Sequence, residues 1–466
     1  MLEFYYKFYP NKFEKKVTEL IQEMSRILQL EGVSIQNTNT LNIQEVHQSQ
    51  LSQEVFQKIN DIYYTIRNGK LANHFLLKKY LPETRTEPIL NKPLFGDFFA
   101  GAGGLSQGLS QAGFQPAFVN DHDVDSIETY YFNHTLPLER FFVGDIREFI
   151  KEIDGYQNYL TDIKVVAGGP PCQGFSMANR QRLLDDPRNE LYKDFLIILE
   201  KIKPDFFIIE NVPGMRHKIK EIEKDIESCT STDYKYTELR INAKDVGIPQ
   251  NRERFFLIGN RVGLNNSEIG INIANNSFGN HKYKLGDAIG DLPPLKVNPH
   301  RNQSHYEDDE CGYMIRKWEN LKNHFISEVN QNHSSDYLFN HKSRYNQPRD
   351  VEIFEKLPQG ANSLHDSIKD LMPYTSRNDV FKDKYYRLEN NKISKAITAH
   401  MKMDCNSYIH PTQARGLSQR EAARIQTFPD DYVFRGFPND WYQQIGNAVP
   451  VKLAEAIAKE LIKYYK

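Results

Sequence analysis

Residues 94–121 read LFGDFFAGAGGLSQGLSQAGFQPAFVND, in which two short apolar runs flank a glycine-rich turn and a segment with helical spacing. Short apolar runs that alternate with helical segments are typical of a mostly parallel sheet covered by helices on both faces. The sequence therefore predicts an α/β fold with a doubly wound sheet. Four further runs continue the pattern along the chain: RFFVGD (140–145), IKVVAG (163–168), DFFIIEN (205–211) and RFFLIGN (254–260).

The first 93 residues have a different pattern. Apolar residues spaced by three and four over 12–30 and 55–66 predict two amphipathic helices. A segment at 83–93, ending in Lys-Pro, is typical of a linker. We therefore expect a small helical extension that docks on the main body.

The region after the last apolar run also stands apart. Residues 262–392 are rich in Asn, His and charged residues and have weak periodicity, which favours an insertion with a small fold of its own. Helical spacing returns at 417–426 and at 449–465. The second of these helices is expected to pack back on the sheet.

Composition narrows the class of protein. The chain has 466 residues, of which 39% are hydrophobic and 26% charged, and its formal net charge of −2 argues against a basic coat over the whole surface. No window approaches the roughly 18 apolar residues of a membrane span, and the N-terminus lacks a signal peptide's apolar run, so we expect a cytosolic protein. The four cysteines lie far apart without a C-x-x-C pair, which predicts no zinc knuckle and no disulfide framework.

Glycines and carboxylates close the first three apolar runs. Gly101, Gly103 and Gly104 let the chain turn tightly and approach a ligand before a helix begins. Asp121 follows the second run, where a carboxylate could accept hydrogen bonds from a ribose diol, and Asp145 follows the third. Because the spacing lacks the G-x-G-x-x-G pattern of dinucleotide sites, an adenosine ligand without a pyrophosphate is favoured. S-adenosyl-L-methionine fits that description.

Cys172 lies in the loop GGPPCQGFSMANR (168–180), directly after the fourth apolar run. A structural cysteine normally lies inside a helix or strand, whereas this one is predicted at the ligand-binding rim, where basic groups can keep it partly as a thiolate. The fifth run ends with Glu210, on the neighbouring strand end. A thiolate, an acid and a methyl donor are what one reaction requires. Attack on C6 of a cytosine, with protonation or hydrogen bonding at N3, makes C5 able to take a methyl group from a sulfonium.

Six motifs occur in a fixed order along the chain. They resemble, in kind and order, the motifs of the DNA (cytosine-5) methyltransferases of the bacterial restriction-modification type. The resemblance covers about 94–466 except for the middle insertion, and we identify the chain as a member of this family. The motifs are FAGAGG (99–104), PPCQGFS (170–176), ENV (210–212), QNRER (250–254), REAARIQTFPDDY (420–432) and QIGNAVP (444–450).

The resemblance implies catalytic roles for four residues. It makes Cys172 the nucleophile and places Glu210 at the N3 edge of the cytosine. In the arginine motif, Arg252 and Arg254 help to clamp the base and the nucleophile loop.

The resemblance also implies which residues bind S-adenosyl-L-methionine. Asp121 should bind the ribose and Asp145 the adenine amino group. The family usually has glutamate at the position of Asp121 and often an aromatic residue at that of His122, but a shorter carboxylate can still reach a diol. The implied cofactor-binding set is Phe99, Gly101, Ala102, Gly103, Gly104, Asp121, Asp145, Pro170, Asn447 and Val449.

Recognition of DNA is expected mainly in the insertion, because cofactor and catalysis occupy the rim of the core. The predicted DNA-binding residues are Gln173, Ser176, Arg180, Gln250, Arg344, Arg349 and Arg387. Further donors for base edges in this region are Arg377, Asn340, Asn346, Gln347 and Asn362, and a second candidate segment is 399–411. The predicted domains are an N-terminal helical extension (1–93), a catalytic cofactor-binding domain (94–264), a target-recognition region (265–415) and a C-terminal segment returning to the catalytic domain (416–466).

Taken together, the resemblance implies methylation of C5 of a flipped-out cytosine in a specific duplex sequence, through a covalent Cys172–C6 adduct. Double-stranded DNA is the expected partner, a cognate restriction endonuclease is a further candidate partner, and a monomer is expected. A tRNA (cytosine-5) methyltransferase is an alternative on the same fold, but its Cys-Phe-Thr signature is not found. A paralogue that only binds nucleic acid would be expected to lose Cys172 or Glu210, and both are present.

Overall fold

The structure of the protein is a computed structural model with a seven-stranded sheet at its centre. The strands are β1 (Leu94–Phe98), β2 (Gln115–Asp121), β3 (Phe141–Val143), β4 (Ile163–Gly168), β5 (Phe206–Asn211), β6 (Lys235–Asn242) and β7 (Glu253–Asn260). The sheet order is β3-β2-β1-β4-β5-β7-β6, with β1 to β5 parallel and β7 antiparallel to both β5 and β6. The predicted doubly wound α/β fold is confirmed. The structure describes residues 1–37, 50–89, 91–171, 190–211, 219–265, 272–273, 282–319, 323–331, 333, 335–373 and 382–465.

One strand of the sheet is absent from the apolar runs of the sequence. The strand β6, KYTELRIN, lies at the end of the strand order beside β7, and its residues are exposed or only partly buried. A strand at the edge of a sheet that faces solvent needs no continuous apolar run. The hydrophobic pattern therefore marks the central strands and misses this one.

Helices cover both faces of the sheet. On one face, the helix Gly104–Ala112 and the C-terminal helix Val451–Leu461 pack so closely that a Cβ on Gly108 would overlap Ala454. The other face carries Ile146–Glu152 and Leu191–Ile202. Further α-helices of the sheet domain and the C-terminal segment are Val124–Asn133, Gln157–Leu160, Ile219–Cys229, Gln419–Ile425 and Pro438–Asn447, and the 3₁₀ helices there are Leu138–Arg140, Ile153–Tyr156, Ala243–Val246 and Ile462–Tyr465.

The N-terminal extension is helical, as the spacing predicted. Its helices share one buried cluster with the helix Val124–Asn133 and with β3, and Phe4 stacks on Tyr131 with ring centroids 5.1 Å apart. The extension and the sheet therefore form a continuous core. The helices are Leu2–Phe8, Phe13–Leu30, Gln53–Asn68 and Phe75–Lys78, with 3₁₀ turns at Pro10–Lys12 and Pro82–Thr84.

The described part of 265–415 divides between the main core, a small core of its own, and the cluster shared with the N-terminal extension, which it joins through Ile315, Tyr337 and Phe339. The helices Leu285–Ile289 and His324–Val329 pack into the main core. A second, small core is formed by Ile353, Phe354, Leu357, Ile368, Tyr385 and Ile409. The predicted domain boundaries remain predictions. The other elements here are an antiparallel hairpin of Gly312–Lys317 and Tyr337–Lys342, the helix Pro348–Lys356, the 3₁₀ helices Asp366–Leu371, Ala399–Lys402 and Asn406–Tyr408, and a short parallel pair of Gln250–Asn251 with Ser394–Lys395.

Candidate active site

The loop after β1 has a left-handed backbone at three positions. Phe99, Gly101 and Gly103 have φ values of 63°, 54° and 84°, in a region that glycine tolerates best. A Cβ at Gly101 would meet no atom within 4 Å among the described residues, whereas a Cβ on Gly104 would lie 2.6 Å from the carbonyl oxygen of Val449. The loop is therefore closed against the C-terminal turn at one end and open to a ligand at the other.

Carboxylates at the ends of β2 and β3 lie on the same rim as this loop. Asp121 accepts a hydrogen bond at Oδ2 from the backbone N–H of Gly101, at 2.7 Å, and at Oδ1 from the N–H of Asp123, at 2.8 Å. Asp145 caps the helix Ile146–Glu152 and is exposed. The structure thus brings together the residues predicted at the first three strand ends.

The C-terminal turn completes this side of the site. Asn447 is exposed at the end of the helix Pro438–Asn447, and Val449 is buried with its carbonyl against the loop after β1. The carbonyl of Ala102 accepts a hydrogen bond from the hydroxyl of Tyr432, at 2.5 Å. The motifs at 99–104, 420–432 and 444–450 therefore meet at one place.

A buried acid lies beneath the loop, and the sequence reasoning did not single it out. The hydroxyl of Ser106 donates to Oδ2 of Asp97 at 2.5 Å and accepts a hydrogen bond from the hydroxyl of Tyr130 at 2.8 Å. Oδ1 of Asp97 is buried and has no hydrogen-bond partner among the described residues. Burial raises the pKa of Asp97 from 3.8 to about 7, although the Ser106 hydrogen bond opposes the rise. The available signal was an acid inside an apolar run.

The target side of the rim is built on an ion pair. Oε1 of Glu210, in β5, lies 2.8 Å from Nε of Arg254, in β7, and the two side chains are 13% and 15% exposed. Burial raises the pKa of Glu210 above its ordinary value, although Arg254 and Arg252 oppose the rise. A Cβ on Gly169 would lie 3.1 Å from Oε2 of Glu210. The second carboxylate oxygen therefore faces the loop that leads to Cys172.

The start of the nucleophile loop is held by Asn211. Its Nδ2 donates to the carbonyl of Pro170 at 2.8 Å. Pro170, which is predicted to bind the cofactor, thus lies beside the end of β5 that carries Glu210. The sequence reasoning gave Asn211 no role, although it follows Glu210 directly in the ENV motif. The predicted residues Cys172, Gln173, Ser176 and Arg180 lie outside the described residues.

Arg252 has a different place from the predicted one. It is almost completely buried, and its guanidinium donates to the backbone carbonyls of Ile397, Gly446 (2.9 Å) and Ala448 (3.0 Å). Burial lowers the pKa of Arg252. These contacts tie the residue directly before β7 to the C-terminal turn and to Ile397, which follows the insertion. The geometry therefore favours a positioning role for Arg252 over direct contact with the base.

Comparison with known proteins decides the family. The model of the family described as C-5 cytosine-specific DNA methylase matches residues 94–463. This chain belongs to that family. The protein is thus a DNA (cytosine-5) methyltransferase, and its N-terminal extension lies outside the family match.

Individual relatives agree with this assignment. The methyltransferase is 30% identical to the type II methyltransferase M.DdeI of Desulfomicrobium norvegicum, over 79% of this chain and 88% of that one. It is 32% identical to the type II methyltransferase M.MthTI of Methanothermobacter thermautotrophicus, over 78% of this chain and 96% of that one. Among solved structures, a protein described as a DNA modification methyltransferase encoded within an E. coli prophage matches with a TM-score of 0.61 and 25% identity, over 80% of this chain and 99% of that chain.

Gln250 is predicted from the sequence to bind DNA in this methyltransferase, and this stays a prediction. Its side chain is fully buried and its amide is used internally. The amide donates to the carbonyl of Ile425 (3.2 Å) and to Oε1 of Gln426 (2.9 Å), and it accepts from the N–H of Ile397 (2.8 Å). Gln250 therefore crosslinks the core, and a contact with DNA would require it to leave all three partners.

Two of the arginines predicted to read DNA, Arg344 and Arg387, also have internal partners. Arg344 donates to the carbonyls of Met401 (3.0 Å) and Met403 (3.1 Å). Arg387 donates to three carbonyls at 2.8 to 3.1 Å, those of Phe354, Leu357 and Pro411. These contacts hold neighbouring loops in place, and the contact of Arg344 and Arg387 with DNA stays a prediction.

The predicted donors that face solvent lie at the start of the helix Pro348–Lys356. Arg349 has a side chain that is 44% exposed, and Gln347 beside it is exposed as well. Asn340, in contrast, is buried and bonded through its amide to both backbone groups of Phe434. Arg377 lies outside the described residues. The direct contact of Arg349 and Gln347 with DNA stays a prediction.

In the part of the chain that the structure describes, no group of three or more His, Cys, Asp and Glu side chains is placed to hold a metal ion. No helix there is long and apolar enough to cross a membrane.

Proposed function

We propose that this methyltransferase transfers a methyl group from S-adenosyl-L-methionine to C5 of a flipped-out cytosine in a specific duplex sequence, through a covalent bond between Cys172 and C6. The observation that carries the proposal is the partly buried Glu210–Arg254 pair at the end of β5. This pair lies beside the loop whose Pro170 carbonyl is held by Asn211, two residues before Cys172.

The residues of the first three strand ends fit the proposed cofactor. Asp121 keeps lone pairs for the hydroxyls of a ribose beside its two backbone hydrogen bonds, and Asp145 is exposed at the next strand end to accept from an adenine amino group. The open position at Gly101 leaves room for the ligand, and the cover of Gly104 by Val449 leaves little space for a pyrophosphate at the helix terminus. When bound, the cofactor supplies an electrophilic methyl group.

The chain's own groups then carry the addition and elimination. The thiolate of Cys172 bonds to C6, and Glu210 supplies a proton or hydrogen bond at N3, which moves electron density to C5. The raised pKa of Glu210 helps it to hold that proton. After C5 has taken the methyl group, the C5 proton leaves to solvent, the Sγ–C6 bond breaks and the N3 proton returns to Glu210.

Access to C6 requires the target base to leave the duplex. Stacked neighbours block the ring face, so the base must swing into the pocket at a cost of a few kcal/mol, which is smallest for a mismatched base. We therefore expect duplexes with a mispaired target cytosine to bind more tightly than matched duplexes in a fluorescence anisotropy assay. Equal affinity for the two would argue against flipping.

The nucleophile is tested by Cys172→Ser, with Cys229→Ser as the matched control because Cys229 is exposed on the helix Ile219–Cys229. We expect the first variant to bind S-adenosylhomocysteine but to lose turnover, because a hydroxyl is a far weaker nucleophile than a thiolate. A duplex with 5-fluorocytosine should trap a covalent complex with the wild type and with Cys229→Ser, since fluorine cannot leave as a proton. Trapping that survives in Cys172→Ser would overturn the assignment.

The relatives named type II methyltransferases support a place for this chain in a restriction-modification system. We propose that it is the modification enzyme there, a cytosolic monomer that protects the site of a cognate endonuclease. Sequencing of methylated cytosines in cells that express the protein should give one short recurring sequence. Methylation without a recurring sequence would contradict this role.

Recognition of that sequence is proposed to lie in 265–415, where Arg349 and Gln347 are exposed. Exchange of this region for the same region of a relative should move methylation to the relative's site while turnover persists. A chimera that is active and still marks the original sequence would place recognition elsewhere.

A further inference from the structure

The extension reaches the catalytic domain through a buried cluster of charged and hydroxyl groups. Glu128, in the helix Val124–Asn133, is almost completely buried and accepts hydrogen bonds from the Tyr5 hydroxyl (2.9 Å) and from Nζ of Lys16 (2.7 Å). Arg435 donates to the Tyr5 hydroxyl at 2.9 Å and forms a paired contact with Glu23, at 2.6 and 2.8 Å. Buried charges need such partners, so these contacts fix the extension in one position.

A second contact lies closer to the cofactor rim. The hydroxyl of Tyr9 donates to Oδ1 of Asp125 at 2.5 Å and lies 3.2 Å from Oε2 of Glu128. Asp125 is in the first turn of the helix Val124–Asn133, whose N-cap is Asp123. The extension therefore holds the helix at the end that follows the proposed ribose ligand.

The same helix contacts the other side of the proposed cofactor site. Gln444 donates to the backbone carbonyl of Asp125 at 3.2 Å, and it accepts a hydrogen bond from the hydroxyl of Thr129 at 2.7 Å. Gln444 lies in the helix that ends at Asn447. The helix Val124–Asn133 thus lies between Asp121, at the end of β2, and Asn447, at the C-terminal turn. Both residues are proposed to bind the cofactor.

We propose that the N-terminal extension is a positioning element for the cofactor site, with Tyr9 as a positioning residue that fixes the first turn of the helix Val124–Asn133. Apolar packing alone would hold the extension against the domain without fixing the orientation of the helix. The Tyr9 and Lys16 contacts fix the rotation of the helix about its axis and its position along that axis. The family match begins at residue 94, so Tyr9 and Lys16 lie outside the part of the chain that the family model matches. The inference rests on the cofactor proposed above.

The test is Tyr9→Phe in the full-length chain, which keeps the ring and removes only the hydroxyl. We expect the dissociation constant for S-adenosylhomocysteine, measured by calorimetry, to rise about fivefold, a part of what one hydrogen bond to a carboxylate contributes. The KM for S-adenosyl-L-methionine should rise by a similar factor while kcat stays unchanged. Tyr64→Phe is the matched control, because the Tyr64 hydroxyl makes no hydrogen bond to any residue that the structure describes.

The outcomes separate this inference from the proposed function. If the wild type binds S-adenosylhomocysteine and Tyr9→Phe binds it equally well, the positioning role is overturned and the cofactor assignment stands. If the wild type binds none, the cofactor assignment falls and this inference with it. A lower melting temperature in Tyr9→Phe with an unchanged dissociation constant would show a purely structural contact and would also overturn it.

An ion pair gives an independent check. Lys16→Met breaks the buried pair with Glu128, and Lys58→Met breaks an exposed pair with Glu54 in the same extension. Only the first should weaken ligand binding. Hydrogen exchange of the wild type keeps the test decisive if Lys16→Met does not fold. S-adenosylhomocysteine should slow exchange in both Val124–Asn133 and the segment 5–16, and protection of the helix without the segment would overturn the coupling.

Discussion

The two halves of the active-site rim are held in different ways. On the cofactor side, Asp121 binds the backbone of Gly101, only 20 residues away in sequence. On the target side, Arg252 binds carbonyls 145 to 196 residues away, and Glu210 pairs with Arg254 on another strand. The Asp121–Gly101 contact forms within one strand-helix-strand unit, whereas the Arg252 contacts need the C-terminal segment in place. Substitutions should therefore act on cofactor affinity in the first half, and on turnover or stability in the second.

The largest expected effect is that of Glu210→Gln. The amide keeps the shape of the side chain but cannot carry the proton at N3, so kcat should fall by about 10²–10⁴-fold while the KM for the cofactor changes little. Transfer of labelled methyl groups to duplex DNA at saturating cofactor measures both. Glu238→Gln, at an exposed position of β6, serves as the control and should behave as the wild type. A loss below about tenfold would place the N3 contact on another residue.

Arg252→Met tests the long-range crosslink of the target side. The buried carbonyls of Ile397 and Gly446 lose the guanidinium as donor, and the partly buried carbonyl of Ala448 keeps only Gln426, so the free energy of unfolding should fall by about 3 kcal/mol or more. Arg240→Met removes an exposed arginine that pairs with Glu253 and should change it by less than about 0.5 kcal/mol. Urea denaturation compares the two. Equal free energies of unfolding for Arg252→Met and Arg240→Met would mean that the long-range contacts of Arg252 do not stabilise the target side.

Asp97→Asn sharpens the comparison from the cofactor side. Burial raises the pKa of Asp97 from 3.8 to about 7, so between these values the folded state holds a proton that the unfolded state has lost. The stability that this proton contributes is complete at low pH, and it falls by about 1.4 kcal/mol per pH unit as the pH rises through this window. Asn cannot titrate and should lack this contribution. Urea midpoints of both proteins across the window give the difference in slope, and parallel curves would sink the assignment.

The smallest expected effect is that of Asp121→Asn. The single amide oxygen can accept from the N–H of Gly101 or of Asp123 but not from both, and the loss of charge weakens the proposed ribose contact, so the KM for the cofactor should rise about tenfold at nearly constant kcat. Asp123→Asn is the control, because Asn keeps a side-chain oxygen that can accept from the hydroxyl of Ser126. A fall in kcat without a change in KM would show that the two halves of the rim are not separable in this way.

The same contrast explains what the sequence could predict. The strand ends with Gly101, Asp121 and Glu210 follow directly from apolar runs closed by polar residues, and those runs belong to the buried strands. The edge strand β6 has no such run, because its residues are exposed or only partly buried. The internal partners of Gln250 and Arg252 lie far away in sequence, so a motif indicates that these residues matter without showing what they touch.

Family resemblance supplied the roles at the rim, but it could not separate residues that face DNA from those that hold loops. Arginine is a residue type that reads base edges, yet Arg344 and Arg387 bind backbone carbonyls. Only burial and partner geometry distinguish the two cases. The same holds for the extension, whose helical spacing was plain in the sequence while its contact with Glu128 was not.

The close approach of Gly446 to the chain at Thr398 and Ala399 limits how new specificities can arise in this protein. A Cβ on Gly446 would overlap their backbone, and the neighbouring Ile397 carbonyl is bound by Arg252. Any segment grafted across this joint must therefore bring a backbone that fits a glycine of the recipient. An exchanged segment that ends before Ser394 would leave the contact of Gly446 with Thr398 and Ala399 as it is in the recipient, whereas an exchange of the whole of 265–415 needs a donor backbone that fits Gly446.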